Sequence, residues 1–237
     1  MAYVEGFVVA VPAANKEVYR RHAKEALPLF KEFGITRMVE AWGDEVPDGK
    51  VTDFKGAVQA RPDEVVVFSW FEYPDRKTRD AANAKMMSDP RMKTMGQSMP
   101  FDGKRMIMGG FDALVDEGEG RDSGYVDGVL IAVPQQRKAD FRDYAAGLSA
   151  LFTDHGARRV VDAWGDDVPD GKVTDFKGAV KAKDGETVVF GWVEWASKAA
   201  RDEAWGKIQQ DPRMNSMQPP FDGQRMIYGG FATLLDA

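Results

Sequence analysis

Trp42-Gly43-Asp44-Glu45-Val46-Pro47-Asp48-Gly49-Lys50-Val51-Thr52-Asp53-Phe54-Lys55-Gly56-Ala57-Val58 returns 122 residues later as the segment from Trp164 to Val180, and only Glu45/Asp167 differs across the seventeen positions. The match extends outward in both directions. Tyr3-Val4-Glu5-Gly6 returns as Tyr125-Val126-Asp127-Gly128, and Phe101-Asp102-Gly103 returns as Phe221-Asp222-Gly223. The offset is 122 as far as Met95/Met217 and 120 afterwards, so the second copy lacks two residues in one loop. A long unit present twice is a tandem domain pair, whereas solenoids need shorter and more numerous repeats. The reading is a first domain over residues 1–115, a polar, glycine-rich linker over 116–124, and a second domain over 125–237.

Within each copy the periodicities give an element order. Residues 3–11 are rich in Val, Tyr and Phe and stop at Pro12, as strands do. Val18, Tyr19, His22, Ala23, Ala26, Phe30 and Phe33 keep helical spacing up to a capping Gly34, with Pro28 expected to bend the helix. Strands are expected at 36–43 and 64–73, and a second helix capped by Asp75 (Ser197 in the second copy). A short turn of helix opens at Asp89-Pro90, and a last strand runs over 105–114. Thr52 to Ala60 fits a short helix slightly better than a strand. The resulting β-α-β-β-α-β order is the ferredoxin-like pattern, with two helices on one face of a four-stranded antiparallel sheet. Because the strands are apolar on both faces, the other face needs a cover, and two copies in one chain supply it. The fold class is therefore α+β, two ferredoxin-like βαββαβ domains packed sheet to sheet as a pseudo-dimeric α+β barrel.

Composition narrows the function classes. The net charge of −6 carries no basic run in either half, which argues against nucleic acid as a partner. The absence of cysteine removes disulfides, thiolate metal ligands and a cysteine nucleophile. No stretch reaches transmembrane length, and the apolar run Phe7–Val11 recurs internally at Val129–Val133, so it reads as a strand rather than a leader. No membrane partner and a cytoplasmic location are the expectations.

The motifs Trp-Gly-Asp-x-Val-Pro-Asp-Gly-Lys-Val-Thr-Asp-Phe, Val-Val-Phe-x-Trp-x-Glu, Asp-Pro-Arg-Met and Pro-Phe-Asp-Gly-x-Arg-Met-Ile-x-Gly-Gly-Phe resemble the YbaA-like family, once per copy and over nearly the whole chain. The resemblance implies membership of the dimeric α+β barrel superfamily. Members with a single copy would pair as homodimers, so this chain resembles a fused dimer acting as an intramolecular pseudo-dimer and a monomer. The family has no established activity and offers no catalytic residue to carry over. The wider superfamily includes cofactor-independent monooxygenases, haem-handling proteins and isomerases, an analogy of fold rather than function.

Candidate chemistry rests on a few side chains. The carboxylates of the 42–58 block invite a cation site, but their spacing matches no EF-hand loop, and Val46-Pro47-Asp48-Gly49 reads as a type I turn. No metal site is assigned. Topology brings Glu5, Glu40 and Glu72 to one end of the sheet, with Asp127, Asp162 and Glu194 as their counterparts. If the register puts them on one face, like charges beside tryptophan would raise a pKa and make a general acid or base. The opposing reading is that they reach solvent or pair with Arg37, Arg79 or Arg105. Trp42, Trp70, Trp164 and Trp192 are the candidate substrate-stacking residues, although core packing is their commoner use. Neither histidine occurs in both copies, because His22 aligns with Tyr144 and His155 with Phe33, so a repeated haem or zinc site has no ligand. No cofactor is implied. Three functions remain open: a binder of a small organic molecule in a pocket between sheet and helices of each half, a cofactor-independent monooxygenase or isomerase, and a non-catalytic interaction module.

Overall fold

The computed structural model describes residues 2–237. The first half comprises β1 (Tyr3–Pro12), α1 (Lys16–Phe33), β2 (Arg37–Glu45), α2 (Phe54–Ala57), β3 (Glu64–Tyr73), α3 (Arg76–Ser88), α4 (Pro90–Gly96) and β4 (Ile107–Gly118). The second repeats the order with β5 (Tyr125–Pro134), α5 (Lys138–Asp154), β6 (Arg159–Asp167), α6 (Phe176–Ala179), β7 (Glu186–Trp195), α7 (Lys198–Ile208), α8 (Pro212–Ser216) and β8 (Ile227–Asp236). Local chemistry places the boundaries. Asp53 and Asp75 cap α2 and α3 by accepting from the Gly56 and Thr78 amides, and Gly34, at φ 113°, ends α1 in a conformation that disfavours any residue with a Cβ. Two expectations need correction. β4 runs to Gly118, so the first residues assigned to the linker are strand paired with β6, and the free connection shrinks to 119–124. Val46–Gly49 carries no hydrogen-bonded turn; the Gly49 amide instead donates to the Asp53 carboxylate at 2.9 Å.

Each half is an antiparallel sheet in the order β4-β1-β3-β2, and the two sheets join into one closed barrel, β1-β3-β2-β8-β5-β7-β6-β4. The closing seams, β2 with β8 and β4 with β6, cross between halves, so every strand has two neighbours and no edge is left open. The interior is filled by rings: Phe68 stacks on Phe190 at 4.4 Å and Trp70 lies 4.4 Å from Trp192. Gly6 and Gly128 permit that stack, because a Cβ at Gly6 would meet the Phe190 ring at 2.7 Å and one at Gly128 the Phe68 ring at 3.0 Å. Phe54 and Phe176, on the short helices, pack edge-on against these rings toward one end of the barrel. The longer helices cover the outside, with α5 lying across both β6 of its own half and β4 of the other.

Candidate functional site

The register sorts the six predicted carboxylates onto two faces. Glu5 lies opposite Phe71, Glu40 opposite Ser69 and Arg37 opposite Glu72. Glu5 and Glu40 therefore share the helix-covered face, while Glu72 points into the barrel with Phe68 and Trp70, and the second half behaves alike. The trio is not one cluster. At the barrel end Glu72 and Glu194 are held by arginines that cross between halves. Arg37 donates to both oxygens of Glu194 at 2.8 Å, and Arg159 donates to Glu72 at 2.7 and 3.2 Å. Asp236 and Asp116 engage the same two guanidinium groups, and the Trp70 and Trp192 indole N–H groups donate to Glu72 and Glu194. Burial would raise the Glu194 pKa, but Arg37 outweighs it and holds the carboxyl below its ordinary value. The whole group is a closed ion-pair network that ties one half to the other.

The outer-face carboxylates of the first half are also satisfied. Glu5 accepts from Asn83 at 2.9 Å and Tyr73 at 3.3 Å, with burial raising its pKa. Glu40 is buried and accepts a 2.6 Å bond from the Tyr19 hydroxyl. Burial raises its pKa to about 7, against the opposing pull of the Tyr19 and Ser69 hydroxyls. In the second half Asp127 accepts from the indoles of Trp195 (2.8 Å) and Trp205 (3.0 Å) and from Arg201 (2.9 Å).

Asp162 differs from all of these. Its counterpart Glu40 has Tyr19 and Ser69 as neighbours, but the second half carries Phe141 and Gly191 at those positions. Both hydroxyls are gone, and the shorter carboxyl lies over Gly191, where a Cβ would sit 2.6 Å from its Oδ1. No donor among the described residues reaches it, and burial alone raises its pKa to about 7. It keeps some accessible surface because a cavity of about 490 Å³ opens beside it, between the sheet and α5 and α7.

That cavity exists by subtraction. In the first half Phe7 and Phe71 lie 4.8 Å apart and Phe30 lies 5.0 Å from Phe71, filling the space beneath α1. The second half has Val129 and Val193 in place of Phe7 and Phe71, so two rings are replaced by isopropyl groups. Phe141, Tyr144, Phe152, Trp205, Phe221 and Tyr228 line what remains. Burial, and secondarily the charge of Asp162, raises the Tyr144 pKa. A pocket was expected in each half; the first half's space is packed. Of the four candidate stacking tryptophans, none among the described residues brings its ring to the cavity: Trp192 borders it along β7, but its ring lies inside the barrel 4.4 Å from Trp70. Trp42 and Trp164 pack against Tyr19 and Phe141 at 6.5 and 6.1 Å, and Trp70 fills the interior. No group of three or more His, Asp or Glu side chains among the described residues is arranged to hold a metal ion. The acidic residues of the repeated block serve a different end: Tyr125 donates to Asp44 at 3.0 Å and Tyr3 to Asp166 at 2.9 Å, so each copy's block satisfies the other copy.

The family model described as "Protein of unknown function (DUF1428)" matches residues 2–103 and again 124–223. The chain belongs to the DUF1428 family. A DUF1428 relative, the uncharacterized protein YbaA of Escherichia coli K12, is 67% identical over 117 residues, which span 49% of this chain and 100% of YbaA. The DUF1428 tandem therefore holds two YbaA-like units. Among solved structures, a candidate monooxygenase from Fusobacterium nucleatum has 10% identity and a TM-score of 0.61 over 99% of this chain and 93% of its own. A candidate monooxygenase from Lactobacillus acidophilus matches at the same score and identity over 100% and 95%. An anthrone oxidase-like protein matches with a TM-score of 0.51 and 10% identity over 100% and 92%. At these identities the likeness establishes that DUF1428 chains of this kind share the α+β barrel fold.

Proposed function

We propose that this protein binds one small organic molecule per chain, in the cavity of the second half, with the first half serving as its packed structural partner. The observation that carries the reading is the paired change at Val129 and Val193, which empties a space that Phe7 and Phe71 fill in the other copy. A volume of about 490 Å³ falls in the range of small-molecule sites, roughly 300–1,000 Å³, and mostly apolar walls with a few polar groups are usual there. The molecule would be aromatic or apolar in its body. The two seams already satisfied within one chain support a monomer acting as its own pseudo-dimer.

A second reading is proton-transfer catalysis of the monooxygenase or isomerase kind. Asp162 favours it, being an unpartnered carboxyl with a pKa of about 7 that could take a proton from a bound substrate near neutral pH. The other five candidate carboxylates are already engaged by protein donors.

Both readings need the cavity. The double variant Val129→Phe/Val193→Phe should keep the barrel and gain melting temperature. In calorimetric titrations with a panel of small aromatic compounds it should bind at least ten-fold more weakly than the natural chain. Unchanged affinity in the filled variant would show that the compounds bind elsewhere. An Asp162→Asn variant that keeps binding but loses a detected turnover would move the assignment from binder to enzyme.

A further inference from the structure

The cavity reading leaves open what a ligand must bring to it, and three observations bear on that. The first is the unsatisfied acceptor. Glu40 receives its proton donor from Tyr19 inside the protein, whereas Phe141 at the matching position has none to give, so a donor for Asp162 must come from the ligand. The second is that no free positive charge lies at the site among the described residues. Arg201, at the cavity's edge, is already engaged by Asp127 at 2.8 Å and by Glu45 and Asp202 at 3.0 Å. A shallower depression next to the cavity shares Arg201 and adds Asp44 and Glu45, which Lys198 also pairs at 2.5 and 2.7 Å, so the cations at the entrance are already taken by protein carboxylates. An anionic ligand would find no unpaired cation among the described residues here. The third is the wall: Phe141, Tyr144, Phe152, Trp205 and Phe221 present aromatic rings, which attract cations through their faces and accommodate an apolar body.

We infer that the cavity selects organic cations, namely small amines with an aromatic or aliphatic body whose ammonium group pairs with Asp162. An ammonium offers three N–H donors to an acceptor that has none, and a charge-assisted bond in a water-poor site is stronger than a neutral one. The inference rests on the cavity being a binding site and adds the chemical class of the ligand. The groups facing Asp162 fix how binding should respond to pH. α5 contributes Tyr144, whose raised pKa keeps it neutral; α7 contributes Arg201, which stays cationic. β5 contributes Asp127, already bonded to two indoles, and β8 contributes Tyr228, while β7 and β4 bring only Gly191 and Val115 opposite. Asp162 is thus the group whose ionisation should control amine binding: charged above about pH 7, protonated below it.

The test is calorimetric titration of the full chain with 2-phenylethylamine, 2-phenylethanol and 3-phenylpropanoate at pH 8 and pH 5. At pH 8 the amine should bind at least ten-fold more tightly than the alcohol, with the carboxylate weakest. The preference for the amine should vanish at pH 5 and in Asp162→Asn at pH 8, and should survive in Glu40→Gln. Asp162→Asn introduces no charge into the fold, and its retained binding of the alcohol would show that the cavity is intact. Equal affinity for amine and alcohol at pH 8, or a preference that persists in Asp162→Asn, would overturn the inference. Alcohol binding that is lost in Val129→Phe/Val193→Phe would in that case leave the cavity reading standing. If none of the three compounds binds, the cavity reading falls with it.

Discussion

Glu40 and Asp162 occupy equivalent positions on equivalent strands, and both are pushed to a pKa of about 7 by burial, yet only Glu40 has a protein donor. Losing Tyr19 and Ser69 to Phe141 and Gly191 turns a structural hydrogen bond into an acceptor without a protein donor at the cavity wall. The change has a consequence for stability. An aspartate ordinarily at 3.8 that sits at about 7 when folded binds a proton that the unfolded chain has already released. Its contribution to stability therefore falls as pH rises from about 4 to about 7, and stays low above that. Asp162→Asn should raise the melting temperature over the natural chain at pH 8 and leave it nearly unchanged at pH 4, where both side chains are neutral. Thermal unfolding at the two pH values checks this; an equal shift at both would mean the carboxyl is not titrating as its surroundings require.

Strand ends and helix faces show how far sequence reading reaches. Glu194, near the end of β7, is fully buried and accepts from Arg37, Ser123 and Trp192. Replacing Glu194 with Gln leaves the Arg37 charge only partly matched across the seam. Urea unfolding should show a loss of about 3–5 kcal/mol, the usual cost of breaking a buried pair. The span of β3, the Asp75 cap and the βαββαβ order were legible, because strand composition, capping chemistry and helical spacing are local properties. The face occupied by each carboxylate was not. Period-two alternation says that Glu5 and Phe7 share a side, but only cross-strand pairing says that Glu72 lies on the other side from Glu40. That the expected pocket would open in the second half while Phe7 and Phe71 fill the first was missed for another reason. Residues shared by both copies drew the reading toward Glu72 and Trp70, while the signal lay in differences: Phe7/Val129, Tyr19/Phe141, Ser69/Gly191 and Phe71/Val193. Such contrasts are visible in the sequence, but they acquire meaning only once α1 and α5 are known to cover these positions.

At the scale of the whole molecule, the two seams replace what would be four open strand edges. The intact chain should run as a monomer of 26.3 kDa in native mass spectrometry. Each half expressed alone, cut within 119–124, should form a homodimer, because β2 and β4, or β6 and β8, would otherwise be unpaired. Self-pairing is chemically possible since Arg37 can meet Glu72, and Arg159 Glu194, across a two-fold axis. A monomeric isolated half would show that the seams are not what holds the barrel closed. The short connection from Glu119 to Gly124 has one more effect. In a homodimer every substitution appears twice, so hollowing one pocket hollows both, and the loss of packing is doubled. Joining the copies ends that constraint. One side can drift toward recognition while its twin keeps its rings and holds the shared wall in shape, and a variant too unstable as a symmetric pair becomes tolerable as half of a single chain.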